Sequence, residues 1–129
     1  MSDAPEKPEF WTRPIFSVAD VRASCDYYCS KLGFTVAWSA DSEQMVIAQV
    51  ERPGIELILQ NGTRIPSSKV PAVLALELHE HVKLDDLHRE LEQRGAKIRA
   101  APAPVYWQEN TRQMEVEDLD GNLLLFWAP

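Results

Sequence analysis

The sequence predicts an α+β fold in which one strand–helix–strand unit occurs twice. In each half an apolar strand precedes a helix that ends at a glycine, and further strands follow, the last of them after a glycine turn. The helix glycines are Gly33 and Gly95, and the turn glycines are Gly54 and Gly121. A unit of about 50 residues is too small to fold alone, so the two copies have to bury their sheets together. This predicts a cleft between paired sheets, where function should lie.

The first copy, module 1, covers about residues 12–60. Its helix has Asp20 as a candidate N-cap and runs to Leu32, where Gly33 ends it in the left-handed conformation. Its strands alternate apolar and polar residues or are rich in β-forming residues, and a turn at residues 41–42 separates two of them. These strands are predicted at residues 10–19, 34–39, 44–50 and 55–60.

The second copy, module 2, covers about residues 71–128 and follows a linker at residues 61–70. Its helix is predicted over residues 83–94, with three leucines on the buried stripe. Its strands are predicted at residues 72–78, 96–100, 112–117 and 123–127. Residues 101–104, Ala-Pro-Ala-Pro, are expected to leave the sheet as a rigid crossing, because proline lacks a backbone N–H.

Composition and charge argue against several classes of protein. No apolar run approaches the roughly 18–20 residues that cross a bilayer. The polar segment 1–11, expected to be a flexible tail, lacks the apolar core of a signal peptide, so residues 12–129 are expected to form one cytoplasmic domain. The formal net charge of −7 and the pI near 4.9 argue against nucleic acid and anionic membranes, which attract basic surfaces. The same charge is compatible with a cationic partner.

The two cysteines, Cys25 and Cys29, lie four residues apart on the predicted helix of module 1. Residues one helical turn apart point the same way, so a bond between them would constrain almost nothing, and no structural disulfide is expected. Cys25 also falls on the apolar stripe of that helix. It is therefore predicted to be a small core residue.

Segments near both ends of the chain resemble the signatures of a known family. They are Val18–Val21, Asp26–Tyr28 and Leu32–Phe34 near the start, and the Arg-led segment Arg112–Asn122 near the end. On these segments the chain resembles the glyoxalase/bleomycin-resistance/extradiol-dioxygenase (vicinal oxygen chelate, VOC) superfamily, and most closely its bleomycin-resistance-like branch. Leu119 replaces the proline that is usual in the closing turn. The resemblance implies two paired βαβββ modules that form a curled mixed sheet around a cavity, commonly completed by a homodimer.

The resemblance also locates four positions at which metal-using members carry ligands, typically His, Glu or Gln. In this sequence they fall on Arg13, Glu56, Val73 and Leu125. Only Glu56 could bind a cation, because Arg13 is itself a cation and the two apolar residues offer no lone pair. A transition-metal ion needs about three good donors, so the resemblance implies no metal and no cofactor here.

Three alternatives remain open from the residues alone. His79 and His81 share a face of an extended segment and could chelate a metal, although polar residues at a strand end usually meet solvent. Glu56 could act as a lone general base in an apolar setting. It could instead form an ion pair with Arg13.

Tryptophans supply the remaining signal. Four occur in 129 residues, and Trp38, Trp107 and Trp127 fall on or beside strands that should border the cavity. Flat rings that line a groove stack on planar heteroaromatic or cationic ligands, although such rings also fill the core of a small domain. We predict a ligand-binding site made of these three tryptophans, Glu56 and Arg112, the residue that begins the closing segment.

Two functions from different classes remain. The first is a metal-free protein that sequesters a planar or cationic ligand in a dimer cleft, similar to bleomycin-resistance proteins, and hence not an enzyme. The second is a divergent superfamily enzyme, a lyase, isomerase or dioxygenase, that uses Glu56 as a base or a displaced metal site. A weaker third is a structural subunit whose own side chains fill the cavity. The missing ligands, the negative charge and the tryptophans favour the first.

Overall fold

The computed structural model describes residues 8–40, 43, 45–62 and 71–129. Its elements follow the predicted order of two βαβββ modules. They are β1 (Ile15–Val18), α1 (Val21–Leu32), β2 (Thr35–Ser39), β3 (Ile47–Arg52), β4 (Ile55–Asn61), β5 (Val73–Glu77), α2 (Leu84–Arg94), β6 (Lys97–Pro104), β7 (Arg112–Glu117) and β8 (Leu123–Ala128). Neither described helix is long and apolar enough to cross a membrane.

The strands form two four-stranded mixed sheets with the same topology. The strand order is β1-β4-β3-β2 in module 1 and β5-β8-β7-β6 in module 2. In each sheet the first strand pairs with the last in parallel, and the remaining pairs are antiparallel. The α+β class and the repeated unit predicted from the sequence are therefore confirmed.

Each helix covers one side of its own sheet. The Asp20 side chain accepts a hydrogen bond from the Ala23 backbone N–H at 3.1 Å, and Gly33 ends α1 with φ 75°, as predicted. The buried stripes are Val21, Cys25, Tyr28 and Leu32 on α1, and Leu84, Leu87 and Leu91 on α2. Burial raises the pKa of the Cys25 thiol to about 11, which suits a core residue, and both cysteines are free thiols.

The side of each sheet that its helix does not cover is called an open face here. Side chains alternate along a strand, so residues between the buried core positions point to this side. Open face 1 carries Ile15, Trp38, Gln49, Glu56 and Ile58, and open face 2 carries Val73, Gln113, Leu125 and Trp127. The modules meet through helices, hairpins and turns, so the contacts between them do not bring the open faces of one chain together.

Several predicted strands have different bounds in the structure, and the differences are largest at β6 and β1. β6 continues to Pro104, so the expectation that residues 101–104 leave the sheet is wrong. Because β6 is an edge strand, the N–H groups missing at its two prolines need not take part in a ladder. β1 covers only Ile15–Val18, instead of residues 10–19, since its parallel pairing with β4 begins at Ile15.

Several expectations concern residues outside the described ones. These are residues 1–7 of the expected tail, the turn at residues 41–42, the start of a strand at residue 44, and residues 63–70 of the linker.

Candidate functional site

Open face 1 is organised around Gln49, a buried residue of β3 with 5% of its surface exposed. Its amide oxygen accepts two hydrogen bonds, one from the Trp38 indole N–H at 3.1 Å and one from the Arg13 guanidinium at 3.3 Å. The register of β2 against β3 places Trp38 opposite Gln49. The indole and the guanidinium are therefore held on the same side of the sheet.

Glu56 lies on β4, one step along the same face, opposite Glu51 of β3. Its carboxylate accepts a hydrogen bond from the indole N–H of Trp11, and the Arg13 guanidinium carbon lies 5.7 Å from the centre of the Trp11 ring. Arg13 donates a hydrogen bond to Gln49 and makes no ion pair with Glu56. The ion pair between Arg13 and Glu56 that was considered from the sequence is therefore wrong. Trp11 is not among the site residues that the sequence predicts, since it falls in the segment 1–11, which is expected to be a flexible tail.

A cavity of about 950 Å³ lies beside Glu56, bounded on one side by residues 8–12. Three carboxylates, those of Glu9, Glu51 and Glu56, are on its lining. Arg52 also lines it, but the guanidinium donates to the Glu90 carboxylate at 3.1 and 3.2 Å. The positive charge of Arg52 is thus already paired, and the lining carries an excess of negative charge.

Open face 2 holds the other two predicted tryptophans. The Trp127 indole N–H donates to the Gln113 amide oxygen at 2.7 Å, and the Trp107 ring packs edge-to-face on Trp127 with centroids 5.1 Å apart. The neighbours of Trp127 on β8, Phe126 and Ala128, are the residues that enter the core. The alternative in which Trp127 fills the core is therefore wrong.

Arg112 lies apart from the other predicted site residues. It shares its face of β7 with the core residue Met114, since the two are separated by one position. Its guanidinium makes two hydrogen bonds of 3.0 Å to Asp85 of α2 and one of 3.1 Å to the Pro129 carbonyl. The Arg112 hydrogen bonds lower the pKa of Asp85. Trp38 and Glu56 thus share open face 1, Trp107 and Trp127 share open face 2, and Arg112 is on neither.

Comparison with known proteins agrees with this geometry. The family model of the Glyoxalase/Bleomycin resistance protein/Dioxygenase superfamily matches residues 13–126. The chain belongs to this superfamily. A search of curated proteins finds no significant match.

Solved structures share the fold. A glyoxalase/bleomycin resistance protein/dioxygenase from Nocardioides is 25% identical, with a TM-score of 0.69 over 98% of this chain and 86% of that one. A superfamily structure from Alicyclobacillus acidocaldarius is 18% identical, with a TM-score of 0.75 over 95% and 93%. TioX from Micromonospora sp. ML1 is 15% identical, with a TM-score of 0.69 over 92% and 94%.

The superfamily includes metal-using members, so the donors available here are relevant. The four corresponding positions hold Arg13, Glu56, Val73 and Leu125, and one carboxylate among them does not make a transition-metal site. His79 and His81 stack with ring centroids 6.1 Å apart at the end of β5. Within the described part of the chain, no three His, Cys, Asp or Glu side chains lie close enough together to hold a metal ion. The residues present therefore do not provide a binding site for a transition-metal ion like that of the metal-using members.

Proposed function

We propose that this superfamily member binds a planar, cationic small molecule at open face 1 and releases it unchanged, as a bleomycin-resistance-like binding protein. The observation that carries the proposal is the position of Glu56. Its carboxylate borders a cavity of about 950 Å³, and the indole of Trp38 lies farther along the same face of the sheet, outside the cavity lining. A carboxylate and an aromatic ring on one face form a combination that can recognise a flat cation.

The charges around the cavity favour a cation over an anion. The lining contains Glu51 and Glu56 on the sheet, Glu9 on the N-terminal segment and one arginine, and the arginine is paired with Glu90. The two glutamates on the sheet alone leave an excess of negative charge. Arg13, the other nearby cation, donates to Gln49 and is not part of the lining. The net charge of −7 adds a long-range attraction for a positively charged ligand.

We further propose that two copies of the chain assemble so that open face 2 of one covers open face 1 of the other. Large apolar side chains on these faces are exposed, among them Ile15 at 48%, Val73 at 55% and Trp38 at 39%. Exposed apolar groups of this size are typical of surfaces that another molecule covers. Such a homodimer would add the Trp107–Trp127 pair of one copy to the Glu56 cavity of the other, and so use four of the five residues predicted for the site.

The proposal is tested with 9-aminoacridine, a planar cation, by fluorescence titration and calorimetry. We expect wild-type protein to bind it, and Glu56→Gln to weaken binding about tenfold, because one charge contact at a half-buried site contributes roughly 1.4 kcal/mol. Glu80→Gln, which removes the same charge from an exposed loop, is the matched control and should leave affinity unchanged.

Two results would contradict the proposal. One is the absence of binding to the wild-type protein at millimolar probe; the other is equal affinity of the Glu56 and Glu80 variants. Chemical conversion of any bound compound by wild-type protein, lost in Glu56→Gln, would replace binding by the enzymatic alternative with Glu56 as base.

A further inference from the structure

We propose that the N-terminal segment, residues 8–12, occupies the ligand's place in the free protein, with the Trp11 indole as an internal substitute for the ligand. The inference rests on the proposed function and narrows the ligand class to planar cations that carry an N–H donor on the edge of the ring. A ligand of this kind would displace Trp11 from Glu56 on binding.

Trp11 has the features that the site selects in a ligand. Its ring is flat, its N–H donates to the Glu56 carboxylate, and it lies in the wall of the cavity that Glu56 borders. The Arg13 guanidinium, 5.7 Å from the ring centre, adds a positive charge to the same group. Trp11 therefore presents Glu56 with a flat aromatic N–H donor, and the cation of Arg13 lies beside its ring, which resembles the chemistry proposed for the ligand.

The segment is held weakly enough to be displaced. Trp11 is 75% exposed and Phe10 is 82% exposed, so little apolar surface is buried beneath them. In the described part of the chain, residues 8–12 make one side-chain hydrogen bond, the one from Trp11 to Glu56. A contact with so little burial opens at small cost, in contrast to the buried strands behind it.

Displacement also explains why the ligand should carry an N–H group. When Trp11 leaves, the carboxylate of Glu56 loses its donor, and a covering ligand without an N–H would leave that acceptor unpaired and away from water. A ligand that replaces the indole N–H restores the hydrogen bond. Because only the fraction of molecules with Trp11 displaced can bind, the apparent affinity is lowered by that fraction.

The first test compares two probes of similar shape and charge on two proteins. 9-Aminoacridine has N–H donors, whereas 10-methylacridinium has none. We expect Trp11→Phe, which keeps a ring but loses the indole N–H, to bind 9-aminoacridine about fivefold more tightly than wild type does, because one internal competitor is lost. Leu119→Val, a change at an exposed apolar residue that is not on the lining of this cavity, should bind like wild type. 9-Aminoacridine should bind each protein more tightly than 10-methylacridinium.

The second test needs no ligand. In protein with ¹⁵N-labelled tryptophan, the Trp11 indole resonance is identified by its loss in Trp11→Phe. We expect Glu56→Gln to shift this resonance and to speed its exchange with solvent, whereas Glu51→Gln, a charge loss in the same cavity, should leave it nearly unchanged.

The outcomes separate the inference from the function on which it rests. If wild type binds 9-aminoacridine and Trp11→Phe binds it equally or more weakly, the segment does not compete, and the inference is overturned while the proposed function stands. If neither protein binds the probe, the proposed function fails and the inference with it. If the Trp11 indole does not respond to Glu56→Gln, the contact is absent in solution and the inference is overturned whatever the probes show.

Discussion

The β3–β4 hairpin of module 1 and the β7–β8 turn of module 2 occupy the same place in their modules, and each contacts the helix of the other module. In the Asp118 junction, the Asp118 carboxylate is buried and accepts hydrogen bonds from the Tyr28 hydroxyl at 2.9 Å and the Asn122 amide at 3.0 Å. It also accepts two backbone N–H groups, from Asp120 at 2.8 Å and Asn122 at 2.9 Å.

The Arg52 junction is more exposed. The Arg52 guanidinium donates to the Glu90 carboxylate and, at 2.9 Å, to the Leu32 carbonyl at the end of α1. The Glu90 side chain remains 35% exposed and also accepts from Arg94 at 2.9 Å. One topology thus uses a buried carboxylate at one junction and a solvated ion pair at the other. We expect the first to dominate stability, and the second to neutralise the charge of Arg52 where it borders the ligand cavity.

The largest expected effect is at the Asp118 junction. Asp118→Ala leaves the buried Tyr28 hydroxyl and the donors of the 118–122 turn without an acceptor, so we expect a loss of about 3 kcal/mol in the free energy of unfolding. Urea denaturation measures it. Asp26→Ala, at an exposed site on α1, is the control and should change stability by less than about 0.5 kcal/mol. A loss at Asp118 as small as at Asp26 would show that the turn does not join the modules.

A smaller effect is expected at the Arg52 junction. Arg52→Met keeps the apolar part of the side chain but removes the hydrogen bond to the Leu32 carbonyl and the ion pair with Glu90. We expect the hydrogen bond to contribute about 1 kcal/mol, and the ion pair about 1 kcal/mol or less, since it is solvated. A double-mutant cycle with Glu90→Gln, followed by urea denaturation, should give a coupling energy of that size. A coupling as large as the whole Asp118 effect would remove the difference between the junctions.

The smallest effect is the response to pH, and it should have opposite sign at the two junctions. Burial raises the pKa of Asp118. This effect outweighs the four hydrogen bonds, which favour the charged form and by themselves would lower the pKa. The stability that this shift contributes is present below the unfolded pKa and is lost as pH rises through the folded one. At Glu90, burial by itself would raise the pKa. The hydrogen bonds from Arg52 and Arg94 outweigh this effect and lower the pKa. That contribution is present above the unfolded pKa and is lost as pH falls through the folded one.

Denaturation of three proteins between pH 3 and pH 7 checks these signs. The stability that Arg52→Met loses relative to wild type should shrink as the solution becomes acidic. The stability that Asp118→Asn loses should grow over the same range, because the wild-type carboxyl takes up a proton more readily when folded. Slopes of the same sign for both variants would contradict the assignment.

Local sequence was sufficient for most of the fold because the signals that define its elements are local. Asp20 and Gly33 bound α1, and the leucine spacing of α2 placed its buried face, since caps and helical periodicity depend on neighbouring residues. The resemblance of the closing segment led to the superfamily that the family model matches. Residues 101–104 were misassigned because whether prolines fit a strand depends on its being at the edge, which local sequence does not show.

The candidate site shows more clearly which contacts cannot be predicted from local sequence. The sequence placed Trp38 and Glu56 on strands of one module. The face of Trp38 could not be read from alternation, because a bulge between Val36 and Trp38 shifts the register of β2 against β3. The sequence also did not show that the Trp11 indole donates to the Glu56 carboxylate, or that Arg112 forms an ion pair with Asp85, because both contacts join residues far apart in the chain. These pairings depend on the distances between side chains after the sheets and helices have packed.

The sequence by itself determined the repeated module and the superfamily, because each depends on residue types at given positions. Only the tertiary structure decided which charges remain available at the cavity. Gly33 illustrates both levels. Its positive φ ends α1, which the sequence predicts, and a side chain there would also meet the Glu90 carboxylate at 2.9 Å. The first property follows from the local backbone, whereas the second exists only because the modules pack against each other.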